Sequence, residues 1–330
     1  MEIVWRERMV PGEPEIFVAW QEGPGDRADG AGDRAEGGGD RADGAGDCAN
    51  GGSDRVEGAG DRTLLAIHGG PDWDHSYLRD PLHRLEDRRL LMPDLRGCGR
   101  SGRVPEYHPD GVVDDLVRVL DAFGVERADV LGHSYGGMLA QRFAISHPSR
   151  VRSLIVSGSS VLPVPPDAFD GWVERDEILA RQEDPWQRED LTPEECVRAE
   201  AFAAALANIW RAEAMAEYLR RLDEVRFGGD WVRQLQSGTL VSPRIPDAAQ
   251  RIAELGIPVL LVHGRYDMTF PVQLVEPTLE AVPEACAVVL EDAGHMVHVD
   301  EPDGYLRAVG EFLQGAALQD RLELGGAGAV

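Results

Sequence analysis

The stretch Gly132-His133-Ser134-Tyr135-Gly136-Gly137 constrains this chain more than any other. It fits Gly-x-Ser-x-Gly. An apolar run from Ala128 to Leu131 leads into it, and a helical pattern follows through Met138, Leu139, Ala140, Phe143, Ala144 and Ile145. A serine at such a strand-to-helix corner is pushed clear of the backbone. The turn is too tight for bulky flanks, so glycines stand two residues to either side. The helix behind the serine aims free N–H groups at whatever the serine attacks. Taken alone, the pattern also describes a Gly-rich turn with a serine capping a helix. The rest of the chain decides between these readings.

A serine hydroxyl is a poor nucleophile without a histidine base, and the histidine needs a carboxylate to orient it. At corners of this kind the acid and then the base follow the serine in chain order. Downstream, the apolar run Ile257 to Val262 predicts a buried strand and delivers His263-Gly264-Arg265-Tyr266-Asp267. The run Ala287 to Leu290 predicts the next strand and delivers Glu291-Asp292-Ala293-Gly294-His295. Order and location select Ser134 as nucleophile, Asp267 as acid and His295 as base.

Upstream, Thr63 to Ile67 predicts a buried strand that brings His68-Gly69-Gly70-Pro71 to the same sheet edge. A loop there supplies the second oxyanion donor. We assign the donors to the N–H groups of Gly70 and Tyr135. His68 is expected to pin the loop. Leu90 to Pro93 predicts another strand, ending in the Gly-rich turn Asp94 to Gly102, where Asp94 and Arg96 read as loop-fixing charges and Cys98 as packing. Helical spacing from Asp110 to Phe123 ends at Gly124. Glu15 to Gln21 alternates as a strand, and with the first residues suggests an antiparallel pair opening the sheet.

Between Gly25 and Arg62 a seven-residue unit recurs, beginning Gly25-Asp26-Arg27-Ala28-Asp29-Gly30-Ala31. No two positions are reliably apolar, so it is not a coiled-coil heptad. Calcium-binding Gly/Asp repeats have a nine-residue period with a large apolar residue in each copy, and this unit has neither. Gly and Asp cannot bury enough surface to offset ordering entropy, so a disordered surface loop is expected.

The formal net charge of −26 argues against nucleic-acid or anionic-membrane partners. No lysine is present, which removes phosphate-loop and Schiff-base chemistry. Cys48, Cys98, Cys196 and Cys286 lie far apart, suggesting neither a zinc site nor a disulfide framework and fitting a reducing cytoplasm. The charged opening residues carry no targeting pattern, and no stretch is apolar for long enough to cross a bilayer. The expectation is a cytoplasmic enzyme without metal or organic cofactor.

From Val161 to Arg251 the strand–helix alternation gives way to charged helical patterning, entered through Pro163, Pro165 and Pro166 and left through Pro243 and Pro246. The expected organisation is a core over 1–160 and 252–330 with a helical cap over 161–251 inserted between them.

These motifs resemble the α/β-hydrolase fold superfamily, which implies a mostly parallel central sheet flanked by helices, with an inserted helical cap. Within it, His68-Gly69-Gly70-Pro71, the Arg96-Gly97-Cys98-Gly99-Arg100-Ser101 core and Gly132 to Gly137 look like the proline iminopeptidase group. Asp72 stands where that group usually has another glycine, and Pro93-Asp94-Leu95 where it often has Tyr-Asp-Gln. The resemblance implies the same triad and oxyanion donors, and a small or short-peptide substrate with a free amino group. Members of the group hold that ammonium with cap carboxylates. The candidates here are Glu194, Glu195, Glu200, Glu213 and Glu217, with Trp210 as an apolar neighbour. The alternatives are an esterase or lactonase for a small metabolite, and a non-catalytic receptor. Serine at the nucleophile position argues against an aspartate-based dehalogenase or epoxide hydrolase.

Overall fold

The computed structural model describes residues 5–23 and 62–326, with side chains to residue 316. The heptapeptide repeat, apart from Arg62, lies outside the described residues, as do Cys48 and the last four residues.

Eight strands form one sheet: β1 (Arg6–Val10), β2 (Ile16–Gln21), β3 (Thr63–Ile67), β4 (Arg89–Pro93), β5 (Ala128–His133), β6 (Val151–Ser157), β7 (Val259–Gly264) and β8 (Ala285–Leu290). Their order is β1-β2-β4-β3-β5-β6-β7-β8. β2 runs antiparallel to β1 and β4, and every other pairing is parallel. The inner strands β3, β5 and β7 are buried along their whole length, because helices cover both faces; that is why they read as unbroken apolar runs. The outer strand β1 exposes Arg6, Glu7 and Arg8, charges that discourage edge-to-edge pairing.

Helix α1 (Pro109–Ala122) starts with proline in its first turn, where the missing N–H costs nothing, and His108 Nδ1 accepts the Asp110 N–H at 3.2 Å. It is followed by Gly124 at φ +66°. Helix α2 (Tyr135–Ser146) buries Leu139, Ala140, Phe143 and Ala144 against the sheet.

Between β6 and β7 lie four helices of at least seven residues: α3 (Val173–Ala180), α4 (Pro193–Ala203), α5 (Met215–Glu224) and α6 (Asp230–Gln236). They are followed by α7 (Ala248–Ala253), whose Ala249 and Ile252 join the same apolar core as α2. The boundary expected at 251 therefore falls inside a helix that packs on the sheet layer. β7 begins at Val259 rather than Ile257, since Pro258 has no N–H to give a ladder. Helix α8 (Val275–Ala281) precedes β8, and α9 (Pro302–Gly326) follows the His295 loop. No described helix is long and apolar enough to cross a membrane.

Because β3 to β8 are parallel, the loops leaving β3, β5, β7 and β8 open on one edge of the sheet. That edge is where open α/β sheets bind ligands.

Candidate active site

Ser134 sits between β5 and α2 at φ 54°, ψ −119°, a conformation that side-chain-bearing residues rarely adopt. The flanking glycines make this turn possible. A Cβ on Gly132 would lie 2.2 Å from the Gly136 carbonyl oxygen, and one on Gly136 would lie 2.3 Å from the carbonyl oxygens of Ile67 and His68. The β3 loop also presses on Ser134: a Cβ on Gly69 would be 2.8 Å from Ser134 Cβ.

The structure brings together the three side chains selected from sequence. His295 Nε2 lies 3.0 Å from Ser134 Oγ, and His295 Nδ1 lies 2.9 Å from Asp267 Oδ2. Asp267 Oδ1 accepts the N–H groups of Thr269 and Phe270 at 2.8 and 2.9 Å, which fixes the carboxylate. Burial alone would raise the Asp267 pKa. The charge and hydrogen bond of His295, with the charge of His263 and the Phe270 N–H, outweigh burial and hold it at about 2. An ionised acceptor at this position keeps the proton of a neutral His295 on Nδ1 and leaves Nε2 free to take one from Ser134.

Tyr135 opens α2, so its N–H has no partner within the helix. Gly70 stands at φ +60°, and a Cβ there would run into the Trp73 ring at 2.6 Å. Both features suit glycine alone. His68 Nδ1 lies 3.0 Å from the Gly69 carbonyl oxygen, and His68 Nε2 accepts the Leu95 N–H at 3.0 Å. Burial lowers its pKa, so the ring is a neutral strut between two loops. Arg96 pairs with Asp115 of α1 at 2.6 Å, while Asp94 pairs with His75 at 2.5 Å and accepts the Arg100 N–H at 2.8 Å. The two charges thus fix the loop through separate partners. Asp74, His75 and Asp94 bring ligand-type atoms within 4.8 Å of one another. Their capacity is already used: Asp74 holds Ser76, and His75 Nε2 faces Arg79 at 2.9 Å.

Two aspartates that sequence reasoning did not select tie the inserted segment to this edge. Asp72, itself at φ 72°, accepts the N–H groups of Asp230, Trp231 and Val232 at 2.9, 3.1 and 2.8 Å. Its carboxylate therefore caps α6 and ties it to the Gly70 loop. Asp300 accepts the N–H groups of Trp210, Arg211 and Gly294 at 3.0, 3.0 and 2.8 Å, joining the segment to the His295 loop. Burial raises the pKa of both carboxyls against the pull of those N–H groups. The signal for Asp72 was its place in the glycine-rich loop; Asp300 carries no local signal. Two further histidines, His133 and His298, are fully buried beside His295, with ring centroids of His133 5.2 Å from His295 and 5.0 Å from His298. Burial puts both well below the usual histidine range, so they pack as neutral rings.

The sequence candidates for an ammonium anchor are placed elsewhere. Glu195 closes a capping box with Thr192 at the start of α4. Glu200 accepts the Trp186 indole N–H at 3.0 Å, and Glu217 pairs with Arg220 and Arg221 at 2.8 Å each. Glu194 and Glu213 are exposed. None of the five makes a hydrogen bond to Ser134, Asp267 or His295. Trp210 does reach the site edge, stacking on Tyr266 with ring centroids 3.7 Å apart.

A family model described as alpha/beta hydrolase fold matches residues 62–302. The 2-hydroxymuconate semialdehyde hydrolase of a Pseudomonas species is 30% identical over 266 residues, covering 76% of this chain and 86% of that protein. The proline iminopeptidase of Saccharolobus solfataricus is 29% identical over 278 residues, covering 76% and 84%. Among solved structures, an esterase from Exiguobacterium antarcticum superposes with TM-score 0.64 at 16% identity, covering 95% of this chain and 100% of that one. That last likeness concerns the fold.

Proposed function

Since the chain belongs to the alpha/beta hydrolase fold family, we propose that it is a serine hydrolase working through an acyl-enzyme on Ser134. The observation that carries this reading is the hydrogen-bonded series Ser134–His295–Asp267 at the loop edge of the sheet. Ser134 Oγ attacks the substrate carbonyl carbon while His295 Nε2 takes its proton. The N–H groups of Tyr135 and Gly70 receive the charge that develops on oxygen. His295 returns the proton to the departing amine or alcohol, and water then releases the acid by the same steps in reverse roles. Asp267 holds the imidazole in the required tautomer. The helices between β6 and β7 act as a cap, clamped through Asp72 and Asp300.

For the bond cleaved, the loop motifs and the iminopeptidase relatives support an aminoacyl amide or short peptide. The second reading, an ester, is favoured by the engagements of Glu195, Glu200 and Glu217 with a helix cap, an indole N–H and two arginines, none of them at the Ser134 edge. Proline and alanine p-nitroanilides, measured beside short p-nitrophenyl esters and a Ser134→Ala control, decide between them. Turnover of free-amine anilides above their N-blocked forms supports the first reading. Ester turnover without anilide turnover supports the second, and turnover that survives Ser134→Ala contradicts the serine mechanism itself.

A further inference from the structure

Between the two ends of the helical insertion lies a cavity of about 860 Å³. The chain entering the insertion contributes Val161 and Leu162, the chain leaving it Arg244 and Ile245, and the flanking helices Met138 and Ala249. The volume falls within the roughly 300–1,000 Å³ typical of small-molecule pockets. Its wall is mostly apolar, with one cation in it.

Arg244 is half-buried, and among the described residues its guanidinium donates only to neutral oxygens: the carbonyls of Ser160 and Leu162 at 3.4 and 3.2 Å, and Ser160 Oγ at 3.0 Å. Burial lowers its pKa, and no carboxylate among the described residues opposes the effect. In a chain with 59 acidic and 33 basic residues this is out of pattern. The more deeply buried Arg88, Arg96 and Arg221 each hold an aspartate. Two carboxylates, Asp247 and Glu254, also line the cavity, but both are exposed, and Glu254 is engaged by Gln250 at 3.0 Å. A partly desolvated cation facing only neutral acceptors gains from a charge-assisted hydrogen bond to an anion. Arg244 also connects the cavity wall to the reaction centre through Phe270, which does not itself line the cavity. The Arg244 guanidinium lies 5.9 Å from that ring centroid, and the same ring stacks on His295 at 5.8 Å.

We propose that this cavity binds an amphipathic monoanion, an alkyl carboxylate whose headgroup pairs with Arg244 and whose tail lies along Met138, Val161 and Ile245. The inference goes beyond the hydrolase reading and does not rest on it, because binding needs no chemistry at Ser134. Bulk electrostatics oppose it: a chain of net charge −26 repels anions, so saturable uptake of one requires a local cationic site.

The test is calorimetric titration of decanoate, with decanol as the uncharged control, into full-length Ser134→Ala protein. The expected result is saturable binding of one decanoate, weakened at least about tenfold by Arg244→Gln, with decanol indifferent to that substitution. Ala253→Phe fills the cavity from α7 without touching Arg244 and is expected to weaken decanoate by a similar factor. Decanoate binding that is absent from the folded protein, or unchanged by Arg244→Gln, overturns the proposal. If that variant does not fold, unchanged binding in Ala253→Phe does so instead. With active protein, competition between decanoate and substrate identifies the ligand as the acid released by hydrolysis, and inhibition without competition identifies it as an effector. Both results require Arg244.

Discussion

Asp72 Oδ2 accepts the backbone N–H of Val232 at 2.8 Å, a contact that spans 160 positions of sequence. The same carboxylate takes the N–H groups of Asp230 and Trp231. Trp231, fully buried, packs edge-on against the ring of Tyr135, the residue after Ser134, with centroids 5.7 Å apart. One aspartate in the Gly70 loop thus ties the insertion to the corner that carries Ser134. Glycine would suit the backbone at φ 72° but leave three N–H groups unpaired. Asp72→Gly is therefore expected to lose about 2 kcal/mol of stability, with a fall in kcat/KM, since hydrogen bonds to a charged acceptor outweigh the strain relieved. Denaturant melts and steady-state kinetics check this; a stabilised variant with unchanged kinetics would remove the clamp from the account.

Ser134 stores strain in its backbone. Ser134→Gly and Ser134→Ala both lack the hydroxyl, but only glycine is at ease at φ 54°. The glycine variant is expected to be the more stable by about 1 kcal/mol, with both inactive. Equal melting curves for the two would show that the turn holds no strain.

Asp267 links activity to acid stability. Its folded pKa, about 2, lies below the ordinary 3.8, so its contribution is fully present above that ordinary value and is lost as pH falls through about 2. Asp267→Asn is expected to be less stable than the parent at pH 5, by on the order of 2 kcal/mol, and to converge with it near pH 2. Its kcat should drop by on the order of a thousandfold or more, because the imidazole tautomer is no longer fixed. Thermal melts at several pH values against the parent protein give the first, and steady-state rates the second. A stability gap that stays constant across that range would contradict the linkage.

The heptapeptide repeat joins two points that already lie together. The Arg62 carbonyl oxygen accepts the Arg89 N–H at 2.8 Å, and a Cβ on Gly23 would lie 2.7 Å from that same nitrogen. Both flanks therefore meet at the start of β4, the sheet edge opposite Ser134. Deletion of residues 25–59 is expected to leave hydrolysis unchanged and shift stability by less than about 1 kcal/mol, since loop-closure entropy varies slowly with length. Loss of folding or of activity in the deleted protein would assign the repeat a role.

What was legible in the sequence was local. The glycine spacing around Ser134 declared itself because each glycine answers a backbone collision within a few residues or with one neighbouring strand. Asp267 and His295 stand out because each follows an unbroken apolar run, buried throughout in β7 and mostly half-buried in β8 at the end of the sheet. The cap end expected at 251 falls inside α7 for the converse reason: alanine- and charge-rich stretches carry little periodic signal, and packing on the core decides where such a helix ends. Asp72 and Asp300 were passed over as clamps because their partners lie about 160 and 90 residues away. In a chain this acidic, nothing local separates a carboxylate that caps a distant helix from one facing water. Arg244 is the mirror case, a cation distinguished by having no carboxylate partner among the described residues.

The central claim is that His295 activates Ser134. The direct measurement is intact mass, with peptide mapping, after exposure to a fluorophosphonate, whose phosphorus takes a serine oxygen as fluoride leaves. The account predicts one adduct, located on Ser134, lost in Ser134→Ala and strongly slowed in His295→Ala. An adduct on another residue, no adduct on the folded protein, or labelling at an undiminished rate without His295 would contradict it.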